Sequence, residues 1–145
     1  MSKLCLMAGA DRPRRAFIDP TRLDRTNIRE FVEQRSYFLG KFVFDKTSRR
    51  LAVCQGDQVQ HFKIAREIQE GTAETDLIGA YIIFEKEDAE MRFVMHGASG
   101  RFGAPTDEEF RMVAYHLVDL LVSIGHDPVV EKGPAGGFFV TVELG

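Results

Sequence analysis

The stretch from residue 79 to residue 124 reads GAYIIFEKEDAEMRFVMHGASGRFGAPTDEEFRMVAYHLVDLLVSI. Residues 80–85 and 91–96 are rich in β-branched and aromatic side chains, which predicts two strands separated by a short acidic turn. A loop with three glycines follows the second strand: Gly97, Gly100 and Gly103. A long amphipathic helix comes next, and the rest of the chain can be interpreted around this order of strand, turn, strand, loop and helix.

The helix carries its own start and stop signals. Thr106 and Glu109 have the spacing of a capping box, in which each side chain bonds a free backbone N–H at the helix start. Gly125 is placed to end the helix in the left-handed conformation, and Pro128 discourages its resumption. Apolar residues recur between them at helical spacing and predict one buried face: Phe110, Val113, Ala114, Leu117, Leu121 and Ile124.

Composition bounds the class of protein. With 145 residues, of which 44% are hydrophobic, the chain suits one globular domain with a sizeable core. A net charge of −3 argues against nucleic acid as a partner. No apolar run approaches the roughly 20 residues that span a bilayer, so we expect no membrane partner. The two cysteines form neither a disulfide framework nor a zinc spacing, which predicts a reduced, cytoplasmic protein without a metal or cofactor.

The first 36 residues are rich in arginine. Residues 11–35 hold seven arginines and five acidic residues, which predicts a polar segment with interspersed ion pairs, the alternative being a phosphate-binding or RNA-binding arm. Residues 3–7 predict a short strand, and Asn27 with Glu30 predicts the cap of a short helix. We divide the predicted single domain into this segment, 1–36, and an α+β core, 37–145.

The core begins with a predicted hairpin. Residues 37–44, which read YFLGKFVF, predict a central strand, and residues 50–54 predict a second strand antiparallel to it, after a turn that starts at Asp45. Residues 58–70 predict a helix, because Asp57 and Gln60 have the spacing of an N-terminal cap and a glycine follows residue 70. A third hairpin strand is the alternative for this segment.

Two features are candidates for chemistry. The predicted helix puts His61 in its first turn, where the helix dipole keeps an imidazole neutral, as a nucleophile or a general base requires. A surface histidine without a function is the alternative. The glycine loop could hold an anion through backbone amides near residues 99–101, the Ser99 hydroxyl and the Arg101 guanidinium, although a tight turn is the simpler interpretation.

The order of these features follows a family pattern. Lys41 lies on a strand that precedes the predicted helix with His61, and a later strand ends in Gly97-x-Ser99-x-x-Phe102-Gly103. Over about residues 37–132 this order resembles the small phosphohistidine phosphatases of the Janus type. The resemblance implies a mixed sheet flanked by helices, with His61 as the catalytic histidine and with Lys41 and Ser99 near the phosphate.

The chain departs from this family in the strand that begins at Gly79. The family has three glycines and an arginine there, whereas this chain reads Gly79-Ala80-Tyr81-Ile82. If the resemblance holds, the missing positive charge must come from Arg101 or from the pair Arg49 and Arg50.

These observations lead to one set of predictions. The fold is α+β, a single domain with a mixed β-sheet of six or seven strands, flanked by one long helix and one or two short helices. The function is phosphate binding, with hydrolysis of a phosphoryl group by His61 as nucleophile or general base; the predicted phosphate-binding residues are Lys41, Ser99, Gly100 and Arg101. A non-catalytic binding module on the same scaffold is the alternative. The partner is a phosphorylated protein or a small phosphorylated ligand, and residues 138–144, interpreted as an edge strand, predict a homodimer.

Overall fold

Seven strands form one sheet in the computed structural model, which describes residues 17–133 and 136–144. In chain order the strands are β1 (Thr21–Leu23), β2 (Tyr37–Asp45), β3 (Arg50–Gln55), β4 (Leu77–Lys86), β5 (Glu90–His96), β6 (Val129–Lys132) and β7 (Phe138–Glu143). Within the same residues the helices are α1 (Ile28–Glu33), α2 (His61–Ala65) and α3 (Asp107–Val122), with a 3₁₀ turn at Glu74–Asp76. The order across the sheet is β1-β3-β2-β4-β5-β7-β6.

The α+β class is confirmed, as are the single domain and the one long and two short helices. The prediction of a mixed sheet was wrong, because every neighbouring pair of the described strands runs antiparallel. Short turns join β2 to β3 and β4 to β5, and a short turn can connect only antiparallel neighbours. The strand predicted at residues 3–7 lies outside the described residues.

One face of the sheet carries the main hydrophobic core, and α3 packs on it. The predicted capping box is confirmed: the Glu109 amide donates to Thr106 Oγ1 at 3.1 Å, and the Thr106 amide donates to Glu109 Oε1 at 2.9 Å. Gly125 has a φ of 94°, which matches its predicted place after the helix end. The helix buries six residues in this core: Phe110, Val113, Ala114, Leu117, Leu120 and Leu121.

The described part of the N-terminal segment belongs to the same core. Phe17 and Phe31 are fully buried with their ring centroids 4.9 Å apart, and the Arg35 guanidinium lies over both rings. Helix α1 forms where the sequence predicts it. Asn27 precedes α1, but the predicted side-chain cap was wrong, because its Oδ1 accepts from the Asp24 amide at 2.9 Å and its Nδ2 donates to the Arg22 carbonyl at 2.7 Å.

The opposite face of the sheet is covered only in part, by α2. This helix is five residues long, so the prediction of a helix over residues 58–70 was wrong, and Gln60 rather than Asp57 precedes its first residue. After Ala65 the chain continues in tighter turns, in which the Ile68 amide donates to the Ala65 carbonyl at 3.1 Å. These turns still bring three apolar residues onto the sheet: Ile64, Ala65 and Ile68.

The C-terminal strand is not an edge strand. β7 pairs with β5 on one side and with β6 on the other, so this prediction was wrong and the proposed homodimer through β7 loses its premise. The outer strands of the described sheet are β1 and β6. No helix in the described ranges has the length and apolar character that crossing a membrane requires.

Candidate functional site

The five predicted site residues line one open pocket of about 370 Å³ on the partly covered face of the sheet. The sequence grouped Ser99, Gly100 and Arg101 in the glycine loop and joined them to His61 and Lys41 only through a family resemblance. The structure brings all five together in space. The lining also contains three residues that sequence reasoning missed: Gln60, Phe62 and Tyr81.

Strand register explains why distant residues meet in this pocket. Lys41 of β2 lies directly opposite Tyr81 of β4, and Tyr81 lies opposite His96 of β5, so the three side chains form one row on the same face. The Tyr81 ring lies between two histidines: it meets the His61 ring edge-on at 5.8 Å and stacks on the His96 ring at 5.9 Å. Tyr81 enters the pocket because β4 pairs with the strand of Lys41, and the sequence alone does not show that these two strands are neighbours.

Gly79 lies where the site elements approach most closely. A Cβ atom on this glycine would lie 2.9 Å from His61 Cδ2, 2.9 Å from Phe102 Cδ2 and 3.1 Å from Ser99 Cβ. Carbon atoms in contact are normally about 3.5–4.0 Å apart, so no larger residue fits without moving these groups. The glycine therefore allows the histidine and the serine loop to pack against the same point of β4.

His61 is held in one tautomer. Its side chain is 6% exposed, and Nε2 lies 2.9 Å from the Ala80 carbonyl oxygen. Because a carbonyl oxygen only accepts hydrogen bonds, Nε2 carries the proton and donates it, which leaves the lone pair on Nδ1. Nδ1 has no hydrogen-bond partner among the described residues.

The neutral state of His61 has a different cause from the predicted one. Burial lowers the pKa of His61 below the usual range of histidine; the bond to Ala80 opposes this, and the positive charge of Lys41 adds to it. The helix dipole contributes little, because α2 spans only five residues. The prediction of a neutral imidazole near pH 7 agrees with the lowered pKa.

Lys41 keeps donor capacity in the pocket. The residue is 8% exposed, and Nζ donates to the Val59 carbonyl at 3.1 Å and lies 3.2 Å from Asp57 Oδ1. An ammonium group has three N–H donors, so one remains for a ligand. Asp57 explains the misjudged helix start: its carboxylate faces this lysine and caps nothing.

Ser99 organises the glycine loop through its hydroxyl oxygen. Oγ accepts hydrogen bonds from the amides of Arg101 and Phe102, both at 3.1 Å. The loop is closed by reciprocal backbone bonds between Ser99 and Gly103. The predicted anion cradle is therefore only partly available, because the Arg101 amide is engaged, whereas the Gly100 amide has no partner among the described residues and the Ser99 O–H is free to donate.

Arg101 stands at the rim of the pocket. Its guanidinium donates to Glu74 Oε1, with Nη2 at 2.8 Å and Nε at 2.9 Å, and lies 5.4 Å from the centroid of the Phe62 ring. The pocket therefore has two cations, Lys41 and Arg101, each paired with a carboxylate.

The arginine that the family carries at the position of Ile82 would not reach this pocket. The Ile82 side chain is 1% exposed and packs in the main core, on the other face of the sheet. The substitutes suggested by the sequence do not line the pocket either, since Arg50 pairs with Glu70 and neither Arg49 nor Arg50 is among the lining residues.

Metal ligands do not cluster in the described residues, where no group of three or more His, Cys, Asp or Glu side chains could hold a metal ion. Comparison with protein-family models, with curated proteins and with solved structures found no match to this chain. The resemblance to phosphohistidine phosphatases stays a prediction, which has to be judged on the residues of the pocket.

Proposed function

We propose that the pocket binds a phosphoryl group and that His61 hydrolyses it from a phosphohistidine. The observation that carries the proposal is the convergence on one pocket of a buried neutral imidazole, a buried ammonium group and a serine loop. The imidazole supplies a reacting lone pair, and the other groups supply donors for phosphate oxygens.

Nδ1 of His61 is the reacting nitrogen in this proposal, because Nε2 is engaged by the Ala80 carbonyl. Its lone pair forms a bond to phosphorus while the bond between phosphorus and the substrate nitrogen breaks. The leaving imidazole keeps that electron pair and takes a proton from water. Water then attacks the phosphorylated His61, which releases inorganic phosphate and restores the ring. If His61 acts as a general base, the same nitrogen takes the proton of the attacking water.

The remaining pocket groups stabilise charge on the transferred phosphoryl group. The third N–H of Lys41, the Ser99 hydroxyl and the Gly100 amide are the donors available to its oxygens. Stabilising these oxygens is most of what a protein contributes to phosphoryl transfer.

A titration with inorganic phosphate, followed through backbone amide NMR shifts, tests the site. We expect saturable shifts at residues 59–62 and 97–103, and weaker binding in His61→Ala. The matched control is His126→Ala, which removes a histidine that does not line the pocket. Hydrolysis of a phosphohistidine peptide should be lost in His61→Ala and kept in the control. A flat titration, or full hydrolysis by His61→Ala, contradicts the proposal.

A non-catalytic phosphate-binding module is the second candidate, and the two ion pairs favour it. Because Asp57 and Glu74 each face a pocket cation, the pocket attracts an anion less strongly than free cations would. This alternative predicts saturable phosphate shifts without turnover. The hydrolysis assay on the unmodified protein separates the two functions.

A further inference from the structure

The sheet face that carries Lys41 and Tyr81 continues beyond the pocket. At its far side, Gly133 and the Arg92 guanidinium lie against the Phe139 ring. Four apolar side chains lie in register across neighbouring strands on this continuation. We call this row, together with the acidic residues Glu90, Asp127, Glu131 and Glu143 beyond its far end, the open face. The apolar row consists of Leu39, Ile83, Val94 and Phe139.

The exposure of the row contrasts with that of its neighbours on the same strands. Leu39 is 47% exposed, whereas Phe38, which points to the other face, is 2% exposed. Ile83, Val94 and Phe139 are half-buried. The row lies two residues along the strands from the row of Lys41 and Tyr81, which is about 7 Å away. An apolar surface of this kind beside a candidate site is typical of an interaction surface.

The far end of the open face is acidic. Glu131 lies opposite Phe139 in register, and it belongs to a second pocket of about 630 Å³. Of the four carboxylates there, Glu90 accepts a hydrogen bond from Arg92 at 3.0 Å. Asp127, Glu131 and Glu143 have no ion-pair partner in the described part of the chain. The lining of this second pocket is Glu90, Asp127, Val129, Glu131, Thr141 and Glu143.

We propose that the open face binds the polypeptide that carries the phosphoryl group, with apolar residues on the row and lysine or arginine residues at the acidic end. This inference rests on the proposed function. Four strand spacings separate Lys41 on β2 from Glu131 on β6, which is about 20 Å and the length of about six extended residues. The face thus presents cations, an apolar row and carboxylates in that order, and the segment that complements it has the opposite charges at its two ends.

A polypeptide explains features that a small ligand leaves unused. A small phosphorylated molecule fills the pocket around His61 and needs neither the apolar row nor the second pocket. Carboxylates at the far end attract cationic side chains and repel a second phosphate, so they select the part of the partner that flanks the phosphorylated residue.

Hydrolysis of matched phosphohistidine peptides tests the proposal. The reference peptide has leucine at the third and lysines at the sixth and seventh positions from the phosphohistidine. Two versions are made, one with these residues on the C-terminal side of the phosphohistidine and one with them on its N-terminal side. The comparison peptides carry serine for leucine or glutamate for the lysines. The protein variants are the double substitution Ile83→Thr with Val94→Thr, and the double substitution Glu131→Gln with Glu143→Gln at two exposed positions. Tyr115→Thr with Val122→Thr, at exposed apolar positions of α3, is the control.

We expect kcat/KM for the reference peptide in its preferred direction to fall about tenfold in the threonine variant, and about three- to fivefold in the glutamine variant at low salt. Hydrolysis of free phosphohistidine and binding of inorganic phosphate should stay unchanged in both variants. Equal kcat/KM for all peptides with intact phosphate binding overturns this proposal alone. Absence of phosphate binding overturns the proposed function as well. A dimer that the threonine variant converts to a monomer, with unchanged peptide preference, assigns the face to self-association and also overturns the proposal.

Discussion

The substitution Gly79→Ala adds one methyl group at the centre of the candidate site. The new Cβ would lie 2.9 Å from His61 Cδ2, 2.9 Å from Phe102 Cδ2 and 3.1 Å from Ser99 Cβ. Because carbon atoms normally approach to about 3.5–4.0 Å, these groups must move apart by roughly half an ångström. Movement of the His61 ring stretches its bond to Ala80, which is 2.9 Å long and sets the tautomer.

Two opposing terms give the expected change in stability. Overpacking a closely packed position costs about 1–3 kcal/mol, whereas replacing glycine restricts the unfolded chain and stabilises by about 0.4–1 kcal/mol. The net loss in the free energy of unfolding should be about 0.5–2 kcal/mol. The rate of hydrolysis should fall by more than this loss of stability would suggest, because a misplacement of about 1 Å in a reacting group costs on the order of a hundredfold in rate.

Urea denaturation, phosphate titration and phosphohistidine hydrolysis of Gly79→Ala measure these effects. Ile78→Val is the matched control, because Ile78 precedes Gly79 and its side chain is buried on the other face of the sheet. This substitution costs about 0.5–1.5 kcal/mol and does not change the pocket. We expect comparable stability losses in both variants but weaker phosphate binding only in Gly79→Ala. Wild-type stability and phosphate affinity in Gly79→Ala would refute the close packing of His61 and Ser99 around this glycine.

Three further predictions concern titration and stability. The His61 ring should titrate below the usual histidine pKa of about 6.5 in an NMR pH series. Asp57→Asn should lower this pKa further, because the Asp57 charge favours the protonated ring. A midpoint above 6.5 would contradict a pKa lowered by burial. Burial also lowers the pKa of His116, so the unfolded state binds more protons below about pH 6.5 and stability decreases as the pH is lowered. His116→Leu removes this penalty, so it should raise the free energy of unfolding more at pH 5 than at pH 7.5; equal effects at the two pH values would be contrary evidence. Thr106→Ala removes one side of the capping box and should cost about 1 kcal/mol in urea denaturation, whereas Thr75→Ala, at an exposed threonine outside the sheet and α3, should cost much less.

Elements with local signals were predictable from the sequence. The capping box of Thr106 and Glu109, the turn at Asp45 and the stop at Gly125 depend on a few neighbouring residues, and all three are present in the structure. The helix over residues 58–70 was overextended for a related reason: Asp57 matches the local pattern of a cap, but a distant lysine engages its carboxylate. A local pattern cannot exclude a competing partner that is 16 positions away in sequence, as Lys41 is from Asp57.

Strand order was beyond the sequence signal. In β7 the apolar residues Phe138, Val140 and Val142 are buried and alternate with less buried ones, but this alternation contains no information on how many neighbours the strand has. β6 folds back on β7 and takes the edge position, so the apolar pattern indicated a strand and the inference of an edge failed. The same limit applies to Tyr81, which enters the pocket because β4 pairs with the strand of Lys41.

The ion pairs in the pocket also bear on the choice between an enzyme and a passive binding module. Asp57 is the exposed partner of its pair, because its side chain is 78% exposed and that of Lys41 is 10% exposed. Arg101 and Glu74 are both half-exposed, and a pair of that kind contributes at most about 1 kcal/mol. A phosphoryl group with two negative charges can therefore replace either carboxylate at small cost, since the displaced side chain returns to water. The cations stay in place without the ligand, and the carboxylates reduce the affinity for phosphate without closing the pocket. Release of inorganic phosphate after hydrolysis benefits from the same competition, so the paired cations are compatible with turnover.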